Sequence, residues 1–345
     1  MNTSVTTAIL PPYMDSTMMS CYRSCPRKFY NEFVLGLRPS IHSIDLHAGA
    51  VFSAALESFR LAFWGQGLDV PTSTARAYAR FVHDWNGYTP HKETAKTEQN
   101  MWAAVESYIA QYPPRTDTVQ PYMLDKRPTV EFSFAIPLEP ATEFNCGRSD
   151  KFFPVHPVTK DPWIYCGRSD LLGEYTKKIA IVDEKTAGRL ESNWSDKWNL
   201  RSQFMGYCWA LQQSGVDCDT AIVRGVIITS PKKGVEIRHV EAIKQYPRFL
   251  IERWHDQLRR DLWRLTRNWQ EGYFDYNLNE TCTQYNHCQF MDLCTSAKPE
   301  QWYSTYEVKR WNPLAKNPSG GASLPSISPA ARPASLGTPL PVTLS

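Results

Sequence analysis

Two stretches decide the fold: Cys166-Gly-Arg-Ser-Asp170 and Ile181-Val-Asp183-Glu-Lys185-Thr186. The residues around them predict two strands, at about 163–171 and 178–185. The turn residues Gly173 to Lys177 lie between these strands and predict an antiparallel pair. Paired strands of this kind bring the two stretches side by side.

The alternation of a strand places Asp183 and Lys185 on one face and points Glu184 the other way. If the strands pair, Asp170 lies beside Asp183. Two neighbouring carboxylates repel each other and raise one pKa, a penalty that a divalent cation removes. Hard oxygen ligands favour Mg²⁺ or Mn²⁺, and a nearby lysine orients an attacking water or stabilises charge on a phosphate.

Hydrophobic periodicity outside this hairpin predicts alternating helices and strands, and therefore an α/β protein. The predicted helices cover about 50–63, 74–85, 93–112, 200–213 and 247–269, and further strands cover 130–136, 221–229 and 235–240. The second and third helices fall within 66–125, which we interpret as a helical insertion.

Composition bounds the class of protein. The 345 residues favour about two domains, or one large domain with a tail. With 42% hydrophobic and 21% charged residues the chain is neither collagen nor coiled coil nor wholly disordered, and a net charge of +3 leaves only local patches for nucleic acid. No apolar run is long enough to span a membrane and no secretory signal is visible, so we expect a cytoplasmic protein.

We expect both ends of the chain to lie outside the folded core. We expect 1–14 to be flexible, 297–312 to form a C-terminal extension, and the Pro- and Ser-rich 313–345 to be disordered. The tail has either no role or a role as a tether that contacts recombination or replication proteins.

Three motifs resemble a known family. Gly167-Arg-Ser-Asp170, Val182-Asp183-Glu-Lys185-Thr186 and Gln203-x-x-x-Tyr207 are similar to the motifs of the PD-(D/E)XK nuclease superfamily, in particular its RecB-like branch with the CRISPR-associated exonucleases and related phage proteins. The resemblance covers most of 15–296. It implies a restriction-endonuclease-like core, in which helices flank a mixed central sheet.

The resemblance also implies roles for the hairpin residues. Asp170 and Asp183 would bind the catalytic Mg²⁺ or Mn²⁺, the Glu184 carbonyl would complete the site, and Lys185 would assist the water. The reaction would be hydrolysis of DNA phosphodiester bonds.

In the branch that the chain resembles, a Gln/Tyr pair contacts DNA near the cleaved end. Gln203 and Tyr207 are four residues apart and share a helix face. An ordinary core-flanking helix shows the same spacing. The pair, with the cysteines described next, favours an exonuclease that acts on ends or single strands.

Four cysteines extend the resemblance: Cys282-x5-Cys288-x5-Cys294 near the C-terminus and Cys25 near the N-terminus. Iron–sulfur nucleases of the RecB-like branch have this arrangement and bind a [4Fe–4S] cluster through four thiolates. Zinc is the rival metal, Cys21 and His287 are possible substitute ligands, and a chance spacing is the third alternative. A cluster that joins positions 25 and 282 would restrict the unfolded chain by roughly 5 kcal/mol.

One position departs from the family pattern. The branch has a histidine in Gly-x-x-x-His on its first core helix, and here the stretch is Gly49-Ala-Val-Phe-Ser53. Glu57, one helical turn further on, either supplies a carboxylate instead or is a solvated charge. Besides an active nuclease, the serine leaves open a catalytically silent DNA-binding or assembly subunit. A third possibility is a protein that zinc stabilises and that has no nucleic-acid role.

The last predicted helix carries a row of arginines. Arg253, Arg260, Arg264 and Arg267 share a face, which is either a phosphate-contacting strip, with Arg260 and Arg264 at its centre, or a solvated surface. For Trp194 and Trp198 we expect a position in the core rather than stacking on bases.

Overall fold

The computed structural model describes residues 7–40, 43–91, 93–139, 152–230, 234–283 and 287–315. Their chain divides into two compact units. The first combines the described residues of Met1–Ile41, Phe134–Gly167 and Glu252–Pro341, and the second those of His42–Ser133 and Arg168–Ile251.

Helices and strands alternate along the chain, as the sequence predicts. The helices are α1 (Ser16–Ser24), α2 (Pro26–Phe29), α3 (Ile44–Arg60), α4 (Val70–Trp85), α5 (Glu98–Gln111), α6 (Ser202–Gln213), α7 (Arg248–Glu271) and α8 (Met291–Thr295). The strands are β1 (Tyr13–Met14), β2 (Leu37–Pro39), β3 (Gln120–Pro121), β4 (Met123–Leu124), β5 (Arg127–Pro128), β6 (Val130–Pro137), β7 (Ile164–Tyr175), β8 (Lys178–Ala187), β9 (Thr220–Thr229), β10 (Glu236–Gln245) and β11 (Tyr306–Val308).

The second unit is built on a mixed sheet. Strand β7 is antiparallel to β8, β8 is parallel to β9, and β9 is antiparallel to β10. Helix α6 provides the crossover between the two parallel strands. This mixed sheet with flanking helices confirms the predicted α/β class.

A tight hairpin joins β7 to β8. Leu171 pairs with Val182 and Tyr175 with Lys178, so only Thr176 and Lys177 form the turn. Both turn residues have positive φ, 48° and 65°, which is the geometry that matches the twist of a two-residue hairpin. The predicted antiparallel pair is confirmed.

Gly173 has a different role from the predicted one. It lies inside β7 rather than in the turn. A Cβ at this position would be 2.4 Å from Cγ1 of Val119. The glycine therefore allows the residue before β3 to pack closely on the sheet.

Two helices of the second unit lie within the predicted insertion at 66–125. Helices α4 and α5 pack with α3 through buried aromatic and aliphatic side chains that also contact β9: Phe52, Leu56, Phe81, Trp85, Met101, Val105, Val226 and Ile228. These helices cover the face of the sheet that also carries Val182 and Ile222. The other face of β8 contacts α6.

In the first unit the N-terminal helices pack against α7. The hydroxyl of Tyr22 donates to Asn268 at 2.6 Å, and Arg23 forms an ion pair with Asp261 at 2.7 Å. The predicted apolar stripe of α7 is buried at Trp254, Leu258, Leu262 and Leu265. Strand β11 pairs with β2, and Phe290 and Leu293 pack beneath them against Leu35 and Leu37.

Part of the segment that we expected to be flexible, 1–14, packs against this unit. Tyr13 and Met14 form a parallel strand with Ile164 and Tyr165, and Leu10 is buried. The expectation is wrong for these residues, because a two-residue strand is too short to give a periodic signal. Nearly all of the predicted tail, 313–345, lies outside the described residues, as do 1–6 of the N-terminal segment.

Among the described residues no helix is both long and apolar enough to cross a membrane.

Candidate active site

The structure brings Asp170 and Asp183 together on adjacent strands. Leu171 pairs with Val182 in the antiparallel register. Asp170 precedes Leu171 and Asp183 follows Val182, so the two aspartates lie opposite each other. Asp170 Oδ2 accepts a hydrogen bond from the backbone N–H of Glu184 at 2.9 Å. Asp183 is 2% exposed. Two strands therefore present two carboxylates at one point, Asp183 buried and Asp170 half-buried.

Lys185 lies on the same face as Asp183, as the strand alternation predicts. Its Nζ is 2.5 Å from Asp183 Oδ2, and its side chain is 35% exposed. Burial lowers the pKa of Lys185, but the carboxylates of Asp183 and Asp170 raise it above its ordinary value. The lysine is therefore a cation at neutral pH, with one side towards the carboxylates and one towards solvent.

The charge distribution of this pair fits a divalent cation. Burial raises the pKa of Asp170 well above its ordinary value, and the charges of Asp183, Glu184 and Glu131 raise it further. Burial also raises the pKa of Asp183, against the opposing effect of Lys185. Buried carboxylates that repel each other are hard donors that Mg²⁺ or Mn²⁺ stabilises. Among the described residues, however, no three His, Cys, Asp or Glu side chains are arranged to hold a metal ion.

Glu184 points away from Asp183 and is bound on the opposite face of β8. Its carboxylate forms a buried ion pair with Arg60 Nη2 at 2.5 Å and accepts from the Tyr108 hydroxyl at 2.8 Å. Burial would raise the pKa of Glu184, but Arg60 and Tyr108 lower it below its ordinary value. Helices α3 and α5 thus fix the middle residue of the Asp-x-Lys motif.

Glu57 is buried rather than solvated. It lies on α3 one turn before Arg60, and its charge helps to raise the pKa of Glu131. Ser53, where the family has a histidine, is half-buried. The predicted substitute carboxylate therefore points into the protein.

The sequence analysis missed Glu131. This residue of β6 is buried, has φ of 53°, and pairs with Arg168 at 2.8 Å between Oε2 and Nε. Burial raises its pKa to about 7; Arg168 opposes this shift, and smaller effects of Glu57 and Glu184 add to it. Outside turns, a left-handed backbone at a non-glycine residue is uncommon, and strain of this kind is concentrated at functional sites.

Gln203 and Tyr207 share a face of α6, as their spacing predicts, and both reach the site. Gln203 Nε2 donates to Asp183 Oδ1 at 3.2 Å. The buried Tyr207 hydroxyl donates to the backbone carbonyl of Arg168 at 2.8 Å and lies 3.4 Å from Gln203 Nε2. In this structure the pair orients Asp183 and joins α6 to β7.

The four predicted cysteines line one cavity of about 350 Å³ in the first unit. Cys25, Cys282, Cys288 and Cys294 are all free thiols, and Lys28 also lines the cavity. Burial, with smaller effects of the neighbouring thiols, raises the pKa of Cys294 to about 11.

Thiolates are ligands of iron–sulfur clusters and of zinc, so the donor type of this cavity suits either group. In this structure, however, no three of the four cysteines are arranged to hold a metal ion. The substitute ligands Cys21 and His287 are not among the residues that line the cavity. Cys21 is buried, with its thiol 3.8 Å from Glu32 Oε2. His287 is exposed.

The predicted arginine strip lies exposed on α7. Arg264 is within 3.5 Å of Asp261 and Arg267 pairs with Glu271, so part of its charge is neutralised. Arg260 is exposed. Trp194 and Trp198 are 6% and 5% exposed, in agreement with the predicted core position.

Comparison with known proteins gives one family. The model of the PD-(D/E)XK nuclease superfamily matches residues 16–295. No curated protein matches the chain. A solved structure described as SSO0001 has 11% identity and a TM-score of 0.30, with coverage of 80% of this chain and 84% of its own. A phage related exonuclease from Haemophilus somnus 129PT has 16% identity and a TM-score of 0.27, with coverage of 64% and 95%. Since the family model spans well over half of its length, the chain belongs to the PD-(D/E)XK nuclease superfamily.

Proposed function

We propose that the protein is a metal-dependent deoxyribonuclease that hydrolyses phosphodiester bonds at DNA ends or on single strands. One observation carries the proposal: two carboxylates of adjacent strands, the half-buried Asp170 and the buried Asp183, lie beside an ammonium group, Lys185. An ion pair that only stabilises the fold needs one carboxylate beside the lysine. A site that binds a cation next to a phosphate needs the second carboxylate.

Asp170, Asp183 and the backbone carbonyl of Glu184 would hold Mg²⁺ or Mn²⁺. When bound, the cation supplies Lewis-acid activation of the scissile phosphate. Lys185 would donate a hydrogen bond to the attacking water and stabilise the negative charge that develops on the phosphate. Its partly exposed side chain supports this role, since water and substrate have access to it.

Glu57 would add a carboxylate in place of the histidine that the family has at position 53. The charge of Glu57 acts on Glu131, and that of Glu131 acts on Asp170, which supports this assignment. Gln203 would keep one oxygen of Asp183 oriented, and the pair Gln203/Tyr207 would contact DNA near the cleaved end. The hydrogen bond from Gln203 to Asp183 supports the first of these roles.

Cys25, Cys282, Cys288 and Cys294 would bind a [4Fe–4S] cluster, with zinc as the alternative. Their position around one cavity supports a shared ligand. The group would join the N-terminal helices to the C-terminal region of the first unit, so its main role would be structural. Arg260 and Arg264 would contribute phosphate contacts from α7, and a role in recombination, repair or phage replication would follow from the resemblance.

The test is cleavage of end-labelled single- and double-stranded DNA by anaerobically purified protein with Mn²⁺ or with EDTA. We expect manganese-dependent shortening that Asp183→Asn abolishes and that Glu174→Gln, an exposed carboxylate change on the same hairpin, retains. Full activity of Asp183→Asn would overturn the assignment. DNA binding without cleavage would instead support the catalytically silent subunit that Ser53 suggests.

A further inference from the structure

The segment between β8 and α6 carries two tryptophans that are fixed against the sheet. A Cβ at Gly225 of β9 would lie 2.3 Å from Cζ2 of Trp194, so the indole occupies the space of a side chain there. Trp198 packs edge-on against Trp194 with ring centroids 5.3 Å apart, and its carbonyl accepts from the Tyr246 hydroxyl. This Trp194/Trp198 pair is a rigid platform.

The platform lies next to the catalytic lysine. Gly225 pairs with Lys185 in the parallel register of β8 and β9. Residues in register on neighbouring strands point to the same face of a sheet. Trp194 therefore covers the face of the sheet on which Lys185 and Asp183 lie.

Two cations lie over this platform. Lys197 Nζ is 4.2 Å from the ring centre of Trp194 and 4.9 Å from that of Trp198. The guanidinium of Arg201 is 5.9 Å from the ring centre of Trp198. Lys197 is neutralised by Glu191 at 2.6 Å, whereas no carboxylate of the described residues forms an ion pair with Arg201.

Arg201 is also within electrostatic reach of the active site. It is exposed and is the N-cap residue of α6, two positions before Gln203, which contacts Asp183. Besides the larger effects of burial and of the Asp183–Lys185 pair, its charge lowers the pKa of both Asp183 and Lys185. An uncompensated, exposed guanidinium thus lies beside the predicted reaction centre.

We propose that Arg201 binds a phosphate of the substrate strand next to the hydrolysed bond, with the Trp194/Trp198 platform holding its side chain in place. This inference rests on the proposed function. The planar guanidinium fits a phosphate with two parallel hydrogen bonds. The contact positions the strand, while the reaction itself takes place at Asp170, Asp183 and Lys185.

The experiment measures binding of a fluorescein-labelled single-stranded oligonucleotide in EDTA by anisotropy, over a series of KCl concentrations. Arg201→Gln should weaken binding about tenfold. It should also reduce the slope of log Kd against log salt by about 0.7, the value for one phosphate contact on a single strand. Arg201→Lys should restore the slope.

Arg76→Gln is the matched control, because Arg76 is an exposed arginine of the same unit without an ion pair in the described residues. It should leave both the Kd and the slope unchanged. Wild-type values of both for Arg201→Gln would overturn the inference while leaving the nuclease proposal intact. A wild-type protein that neither binds nor cleaves DNA would overturn both.

Discussion

Asp170 and Glu184 are joined across the β7–β8 hairpin by a hydrogen bond from the backbone N–H of Glu184 to Asp170 Oδ2, at 2.9 Å. The bond fixes one oxygen of Asp170 against the peptide that follows Asp183. The carboxylate is thereby oriented, although desolvation and the neighbouring carboxylates oppose its charge.

Asp170→Asn should separate activity from stability. The amide oxygen can still accept the Glu184 N–H, and the loss of a buried charge should stabilise the metal-free protein by about 1–2 kcal/mol. Cleavage should fall at least about a thousandfold, because the ligand that we propose for the cation is lost. Urea unfolding in EDTA and the cleavage assay check the two effects. A variant that is both less stable and fully active would contradict the role of Asp170.

Arg60→Met should strongly destabilise the fold. Glu184 would keep its buried charge without the cation that neutralises it, which costs about 3–5 kcal/mol. Arg60→Met combined with Glu184→Leu should recover most of this loss. The half-exposed pair Arg80–Asp84 is the matched control, and Arg80→Met should cost less than about 1 kcal/mol. Equal losses for both arginines would refute the buried network.

Stability should fall as the pH rises through the range in which Glu131 titrates. Its pKa in the folded protein is about 7, above its ordinary value of 4.5, so the folded state holds the proton more tightly. The resulting stabilisation is present below pH 4.5 and is lost by pH 7, with a difference of up to about 3 kcal/mol. Urea unfolding in EDTA across this range measures it.

Glu131→Gln should flatten this pH dependence, since the amide does not titrate. Glu106→Gln, at an exposed position of α5, should leave the profile as in the wild type. An unchanged profile for Glu131→Gln would mean that other groups cause the slope.

Gly225→Ala should disturb the site through Trp194. The new methyl group would overlap the indole, so we expect a loss of about 1–3 kcal/mol and a weaker interaction with DNA. Gly188→Ala is the control, because nothing lies within 4 Å of its Cβ position and its φ is not positive. Thermal unfolding compares the two. Equal melting temperatures would show that Trp194 moves aside without a loss of stability.

Cys282→Ser should remove the group that we propose in the cysteine cavity. Anaerobically purified wild type should contain iron, or zinc in the alternative, and the variant should contain little of either. Loss of the link between positions 25 and 282 should lower the unfolding free energy by several kcal/mol, up to roughly 5 kcal/mol. Cys21→Ala should keep the metal, because Cys21 does not line the cavity. Metal-free wild type would refute the proposal.

The hairpin and its chemistry could be predicted from the sequence because they depend on local patterns. Alternation along β8 separates Asp183 and Lys185 from Glu184, and a spacing of four places Gln203 above Tyr207. The same patterns indicate that Asp170 lies on the neighbouring strand.

Residues whose role depends on distant partners could not be predicted. Glu131 looks like any polar residue of an alternating strand until its left-handed φ and its pairing with Arg168 are known. Gly225 is ordinary in sequence, and the positions of Trp194 and Val240 in the folded protein explain it. The pairing of Tyr13 and Met14 with β7 is equally non-local.

The two-residue turn at Thr176 and Lys177 sets the register of the candidate motif Asp183-Glu-Lys185. The turn fixes the pairing of Tyr175 with Lys178, and this register determines which residue of β8 lies opposite Asp170 and faces the same side of the sheet. An insertion of one residue between the turn and Asp183 would invert the strand, sending Lys185 into the helical core and Glu184 into the cleft. A one-residue change of length inside β8 therefore reverses the faces of the residues beyond it, unless a β-bulge absorbs the extra residue.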